Sequence, residues 1–311
     1  MNILDNSDKR LLPLLPEIIL DKLGKKVVKI KFIGGGSFGR VYKAELSDGS
    51  TIAVKAYRIQ LSQYEEERQL TILAENTSVP MPKVLFTFED SETALLAMTF
   101  VDGQNVLNPS FLLKSKAQKK DFADSVISGM LQWHKKENDK FGYLSAPVYD
   151  TWYDFYKTEK QQPILEGLKE LCDKGKFSKK KLSLLLEATE VFNSLPKECA
   201  KPVLIHGDLN IMNIMADPKD FTLTAFIDPC GTLWADREYD LFQLRNMWGD
   251  AYGLYNTYKD KCKMSQYTDF RVAYYGAIHE CSMRLAGGLI APFLEDLVIA
   301  RLKKEIKKLK K

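Results

Sequence analysis

The sequence predicts a two-lobed α+β fold, with an antiparallel sheet in the first third and mainly helices afterwards. Three observations carry this prediction. The chain has 311 residues, enough for two lobes of about 100 to 200 residues each. Three strand patterns follow one another between Val27 and Tyr57, with connections too tight to hold a crossover helix. After Asp102-Gly103 the apolar spacing becomes that of helices. The expected lobes are 1–101 and 102–311.

Each element has its own signal. Leu14, Leu15, Ile18, Ile19 and Leu23 suit a short helix within 12–24. Val27, Val28, Ile30, Phe32 and Ile33 form a strand running into Gly34-Gly35-Gly36, and 41–46 form a second. Ser47-Asp48-Gly49 is a turn signal before a third strand over 51–57. A dinucleotide-binding fold would instead place a long helix directly after the glycines. Tyr64, Glu67, Leu70 and Leu73 mark a helix over 62–75, and Val79-Pro80-Met81-Pro82 stops it. Strands are expected over 84–88 and 94–101. Phe122, Val126, Met130, Leu131 and Trp133 give a helix over 118–136, and 160–195 is helical with a break at Gly175. The pattern breaks from Leu204 to Asp228 and turns helical again from 238. The last helix sets Leu294, Leu297, Leu302, Ile306 and Leu309 against a lysine face.

Composition narrows the class. Hydrophobic residues at 45% and charged residues at 28% exclude a disordered or collagenous chain. No apolar run reaches the roughly 18 residues of a membrane span, and no basic, then apolar, leader opens the chain, so a cytoplasmic location is expected. Cys172, Cys199, Cys230, Cys262 and Cys281, with His134, His206 and His279, have neither zinc-site nor disulfide spacing. The net charge is +4, but 301–311 hold seven basic residues and one acid, Glu305. The rest of the chain is slightly acidic, and no nucleic-acid partner is expected. The terminal lysines read as a solvated helix face.

Three groups of residues carry chemistry. Gly34, Gly36 and Gly39, with Ser37 and Phe38 between them, form a G-x-G-x-x-G-x-V hairpin between two strands. Glycines let a backbone approach phosphates. Lys55 stands in the apolar strand Ile52-Ala53-Val54-Lys55 and needs a partner or a phosphate. Glu67 is the favoured partner, with Glu65 and Glu66 as alternatives. The third group is His206-Gly207-Asp208-Leu209-Asn210-Ile211-Met212-Asn213, followed by Ile227-Asp228-Pro229. Asp208 would accept or orient the proton of an attacking hydroxyl. Asn213 and Asp228 would hold magnesium against nucleotide phosphates.

These elements, with Leu131-Gln132-Trp133-His134 and Tyr239-Asp240-Leu241, resemble the aminoglycoside phosphotransferase and fructosamine kinase superfamily. The likeness covers 30–241. It implies a protein-kinase-like fold, ATP and Mg2+ as cofactors, and a small-molecule hydroxyl acceptor such as an aminated sugar, aminoglycoside or fructosamine-like compound. It implies an adenine pocket with Met98 behind it and backbone from Thr99 to Val101 facing the base. Asp240 and His206 are implied as scaffold, and His134 reads as a packing residue. Met212 stands where relatives usually carry a small residue. Asp236, Glu238 and Glu280 are candidate acids for a cationic acceptor. Phe141-Gly142-Tyr143 and the aromatics at 152, 153, 155 and 156 resemble fructosamine-kinase segments, and they read equally well as core.

Two other readings are open. A protein serine/threonine kinase would need a loop arginine where Gly207 stands, and an A-P-E triplet that is missing between Asp228 and Asp240. A non-catalytic nucleotide-binding regulator would be expected to lack one of Lys55, Asp208, Asn213 and Asp228, yet all are present.

Overall fold

One face of the first sheet is fully buried. Tyr42, Ala44 and Leu46 on one strand and Ile52, Val54 and Ala56 on the next are all at most 5% exposed, because alternate side chains face one side of a pleated sheet. The computed structural model describes residues 3–35, 39–57, 62–197, 201–285 and 292–310. Two compact units appear. The first comprises the chain up to Thr71 together with Met81–Val101, and the second Ile72–Pro80 together with 102 onwards.

In the first unit, β1 (Val27–Gly35), β2 (Gly39–Leu46), β3 (Thr51–Tyr57), β4 (Val84–Glu89) and β5 (Ala94–Thr99) form one antiparallel sheet. Its order is β1-β2-β3-β5-β4. Helix α1 (Ile3–Leu23) is longer than its apolar repeat and runs through Pro13 and Pro16. Each proline removes one helical N–H donor. The helix is held by Leu11, Leu15 and Ile19, which recur every four residues and pack into the sheet's core. Helix α2 (Ser62–Glu75) follows β3 as expected.

The second unit is mainly helical. Helix α3 (Lys116–Trp133) begins with a capping box made by Ser115 and Gln118. Its buried face carries Phe122, Val126, Met130 and Trp133, and the Trp133 indole donates to the Leu73 carbonyl at 2.9 Å. β6 (Gln104–Asn105) precedes this helix, and the short strands β7 (Phe141–Tyr143), β8 (Ala146–Tyr149), β9 (Val203–Leu204), β10 (Ile214–Ala216), β11 (Leu223–Phe226) and β12 (Leu233–Ala235) come after it. They form sheets of order β11-β10-β6 and β8-β7-β12-β9. Helix α4 (Trp152–Tyr156) passes through a π turn over Lys157–Gln161 into α5 (Gln162–Asp173). Gly175, at φ +69°, separates α5 from α6 (Lys179–Ser194). The bundle ends with α7 (Leu254–Lys261), α8 (Thr268–Ser282) and α9 (Pro292–Leu309).

The last helix differs from its expected face. Leu294, Val298, Leu302 and Ile306 are buried, whereas Leu297 and Leu309 are 36% and 38% exposed. The true face steps by four residues and includes Glu295, which Lys181 and Arg284 neutralise at 2.5 and 2.6 Å. Trp152, Phe155 and Tyr156 are core residues, with the Trp152 indole donating to the Tyr275 hydroxyl at 2.9 Å.

Candidate active site

The first unit supplies a buried cation. Lys55 is 8% exposed in β3, opposite Val41 and Leu96. Its Nζ lies 2.6 Å from Glu66 Oε2, and the Tyr57 hydroxyl donates to the same oxygen at 2.6 Å. The partner is therefore Glu66 rather than Glu67. Helical geometry explains the difference, because Gln63, Glu66, Leu70 and Leu73 recur on the buried face of α2. Glu67 is turned about 100° away from Glu66 and is half-buried. Glu66→Ala should lower kcat/KM for nucleotide by about ten- to a hundredfold, the value of a charged hydrogen bond. Glu67→Ala should stay near wild type, and steady-state kinetics on both variants checks the pairing.

Of the predicted glycine hairpin, Gly34 and Gly35 end β1 and Gly39 opens β2. A Cβ on Gly39 would lie 2.4 Å from the Ala56 carbonyl oxygen, so only glycine fits there. Gly36, Ser37 and Phe38 lie outside the described residues. Met98 is buried in β5 opposite Ala53. The Thr99 N–H donates to Lys83 O at 2.9 Å and the Phe100 N–H to Thr51 O at 3.3 Å. Among the described residues the Val101 N–H has no hydrogen-bond acceptor.

The second unit supplies a braced loop. Asp240 is fully buried and accepts from the backbone N–H groups of His206 (3.1 Å) and Gly207 (2.9 Å). His134 Nε2 lies 3.4 Å from the same carboxylate, and its Nδ1 meets the Tyr258 hydroxyl at 2.8 Å. Thr232 donates to His206 O and Gln243 to Gly207 O, completing the clamp. Burial pulls the His206 pKa down to about 4, so the ring stays neutral and its Nδ1 accepts the Asp208 N–H at 3.3 Å. Both histidines are scaffold. Gly207 has φ +83°, and a Cβ there would sit 2.5 Å from the carbonyl oxygens of Cys230 and Gly231. Gly207→Ala should cost more than about 2 kcal/mol, combining left-handed strain with a backbone clash. Thermal denaturation should show a lower Tm, and turnover should fall with it.

The clamp presents four polar residues. Asn210 Nδ2 donates to Asp208 Oδ1 at 2.8 Å, and Asn213 Nδ2 donates to Asp208 Oδ2 at 2.9 Å. The same Asn213 amide donates to the Asp208 and Asp228 carbonyls at 2.7 and 3.4 Å. Asp208, Asn213 and Asp228 are thus brought together. Spacing within the motif gives Asn210 no role, and its bond to Asp208 appears only in three dimensions. Burial, then the nearby charge of Asp228, pushes the Asp208 carboxyl up to about 8, against the two amide hydrogen bonds. Asp228 is exposed and has a left-handed φ of 55°, a strained backbone for a residue with a Cβ.

The donor set suits magnesium. With its Nδ2 committed to Asp208 and Asp228, Asn213 has Oδ1 on the other side of the amide. Together with the exposed Asp228 carboxylate, this makes an all-oxygen pair for a hard cation. Among the described residues no trio of His, Cys, Asp or Glu could hold a metal, so substrate oxygens and water would complete the shell.

The acids expected to attract a cationic acceptor are otherwise engaged. Glu238 is buried and accepts from Arg271 Nε at 2.6 Å, Arg271 Nη2 at 2.9 Å and Thr268 Oγ1 at 2.6 Å. Asp236 caps a short 3-10 turn by accepting the Glu238 N–H at 3.0 Å. Glu280 accepts from Asn246 at 3.2 Å. Met212 is 38% exposed, with its N–H bonded to Asn210 Oδ1 at 2.9 Å, so its bulk does not disturb the loop. β12 and the turn at Arg237–Asp240 occupy most of the chain between Asp228 and Asp240, leaving no room for a long activation segment.

Comparison with known proteins places this geometry. A protein of Escherichia coli K12 called YcbJ, itself uncharacterised, is 24% identical over 234 residues, covering 71% of this chain and 75% of that protein. A provisionally named fructosamine-3-kinase from Thermobifida fusca has a TM-score of 0.66 at 19% identity, covering 94% of this chain and 98% of its own. An aminoglycoside phosphotransferase, APH(4)-Ia, solved with ADP and hygromycin B, gives 0.68 at 13% identity, covering 94% and 98%. These structures share the two-part kinase-like fold. No helix among the described residues is long and apolar enough to cross a membrane. The sequence model of the APH phosphotransferase enzyme family matches residues 29–279. From Lys55 through the Asp208 loop to Asp240, the braced machinery falls within that match, and the chain belongs to this family of phosphotransferases.

Proposed function

We propose that the protein transfers the γ-phosphoryl group of ATP, with Mg2+, to a hydroxyl of a small molecule, an aminated sugar or a related compound. The observation that carries this reading is the cluster of Asp208, Asn213 and Asp228 on a loop braced by Asp240. The small-molecule class is supported by the family match and by the compact chain between Asp228 and Asp240, which offers no protein-substrate platform. The aminated class follows the fructosamine and aminoglycoside enzymes that share the fold. The cytoplasm is the proposed location, and the buried thiols of Cys172 and Cys281 suit its reducing conditions.

Each residue has a definable task. Lys55, held by Glu66, presents its ammonium to the nucleotide phosphates. The Val101 N–H is the donor offered to the adenine edge. Asp208 accepts the proton of the attacking hydroxyl as its oxygen bonds to the γ-phosphorus and the bond to the β,γ-bridging oxygen breaks, releasing ADP. Asn210 and Asn213 aim the carboxylate. Asn213 and Asp228 would hold magnesium, which when bound neutralises phosphate charge. ATP consumption coupled to a phosphorylated small molecule tests the reading. Nucleotide binding without any such product would refute it.

A further inference from the structure

A pocket of about 270 Å³ lies in the second unit, lined by Tyr156, Glu159, Lys160, Tyr239, His279 and Ser282 among others. Two of its charged residues come from the π turn, where the Gln162 N–H reaches back to Lys157 O. Such insertions in helices recur at functional sites. On its other side the turn is tied down, with Gln161 donating to Asn193 at 3.2 Å and to the Tyr274 hydroxyl at 3.0 Å.

The two opposite charges in this pocket, Glu159 and Lys160, act on each other through space but are not bonded to one another. Glu159 accepts from the hydroxyls of Tyr143 and Tyr149, so its carboxylate is held by those two rings. His279 packs against Phe242 at 5.0 Å, and burial, then the charge of Lys160, lowers its pKa to about 4, leaving a neutral ring. Lys160 is half-buried, with its Nζ 5.4 Å from the centre of the Tyr143 ring. Among the described residues its ammonium makes no ion pair within 4 Å and no hydrogen bond. Burial lowers the Lys160 pKa, and the charge of Glu159 offsets this only through space, so a carboxylate that accepts from the ammonium directly would offset the remaining cost.

The pocket borders the reacting loop. Tyr239 is the neighbour of Asp240, which clamps His206 and Gly207. Cys230 lies within electrostatic reach of Lys160, and its carbonyl oxygen is in close contact with Gly207. The volume falls just below the roughly 300 Å³ at which small-molecule sites begin, so it suits one compact group of an acceptor and not a whole sugar.

We infer that Lys160 docks a carboxylate of the acceptor, so that an acidic group is a requirement for recognition at this pocket. The inference rests on the small-molecule acceptor proposed above and adds a charge opposite to the one that an aminated sugar alone would bring.

The test uses matched acceptors that differ only in that charge: fructosylglycine against fructosylglycinamide, and gluconate against gluconamide. Affinity is measured by calorimetry with a non-hydrolysable ATP analogue, and turnover separately with ATP and magnesium. At least one acid should bind about ten- to a hundredfold more tightly than its amide, the range of a charge-assisted hydrogen bond. Lys160→Met should abolish that preference without weakening the amide, and Lys160→Arg should restore it. No preference in either pair, or a preference that survives Lys160→Met, would overturn the inference. Lys160-dependent binding without phosphorylation would uphold the subsite and count against the kinase reading. Phosphorylation of acid and amide alike would do the reverse.

Discussion

Asp208→Asn is expected to lower phosphoryl transfer by about 10²- to 10⁴-fold, the contribution of a positioned general base, while nucleotide affinity changes by less than about twofold. The separation follows from geometry. The Asp208 side-chain oxygens meet the amides of Asn210 and Asn213 within the loop, whereas Lys55 and its Glu66 partner belong to the first unit. Single-turnover kinetics beside nucleotide titration would read both quantities. A variant that keeps its turnover would remove Asp208 from the proton-accepting role.

The second large effect concerns stability. Asp240→Asn should destabilise the second unit by about 3–5 kcal/mol, the cost of breaking one partner in a buried charged network, and should reduce turnover through the loop. The carboxylate accepts two backbone N–H groups and lies beside His134. An asparagine offers one acceptor and turns an amide donor toward donors. Burial opposes ionisation of Asp240, but the hydrogen bond and charge of His134, with the contribution of His206, outweigh it and hold the carboxyl below its usual range. A depressed folded-state pKa contributes stability above the unfolded value, and that stability is lost as pH falls through the folded one. The gap in stability between wild type and Asp240→Asn should therefore be flat from pH 5 to 8 and narrow below about pH 4. Urea denaturation across that range measures it. A gap that widens in acid would contradict the assignment.

Much of this was legible from local pattern. β1 to β5 and α2 announced themselves because apolar strand runs and helical spacing each persist for six residues or more between clear turn signals. Asp208, Asn213 and Asp228 were readable because they lie within 21 residues of one another, on one loop and just after the hairpin that follows it. The Lys55 partner was ambiguous because Glu65, Glu66 and Glu67 are consecutive, and one residue of helix is a rotation of about 100°. The remainder depends on distant partners. Glu238 looked available to a ligand until Arg271 and Thr268, 33 and 30 positions on, closed over it. Strands of two to four residues such as β9 and β12 are too short for alternation to register. No spacing rule built on 3.6 residues per turn reveals the π turn that carries Glu159 and Lys160 into the pocket. The extent of α1 was hidden by Pro13 and Pro16, whose local preference is outweighed by apolar burial.

Phosphate transfer itself is the most direct test. The purified protein would be incubated with ATP, magnesium and a panel of sugar amines, sugar acids, aminoglycosides and a generic protein, and the products weighed by mass spectrometry. The account predicts a small molecule heavier by one phosphoryl group, formed by wild type and absent with Asp208→Asn. Phosphorylation of the protein substrate alone, or a small-molecule product that persists in the variant, would contradict it.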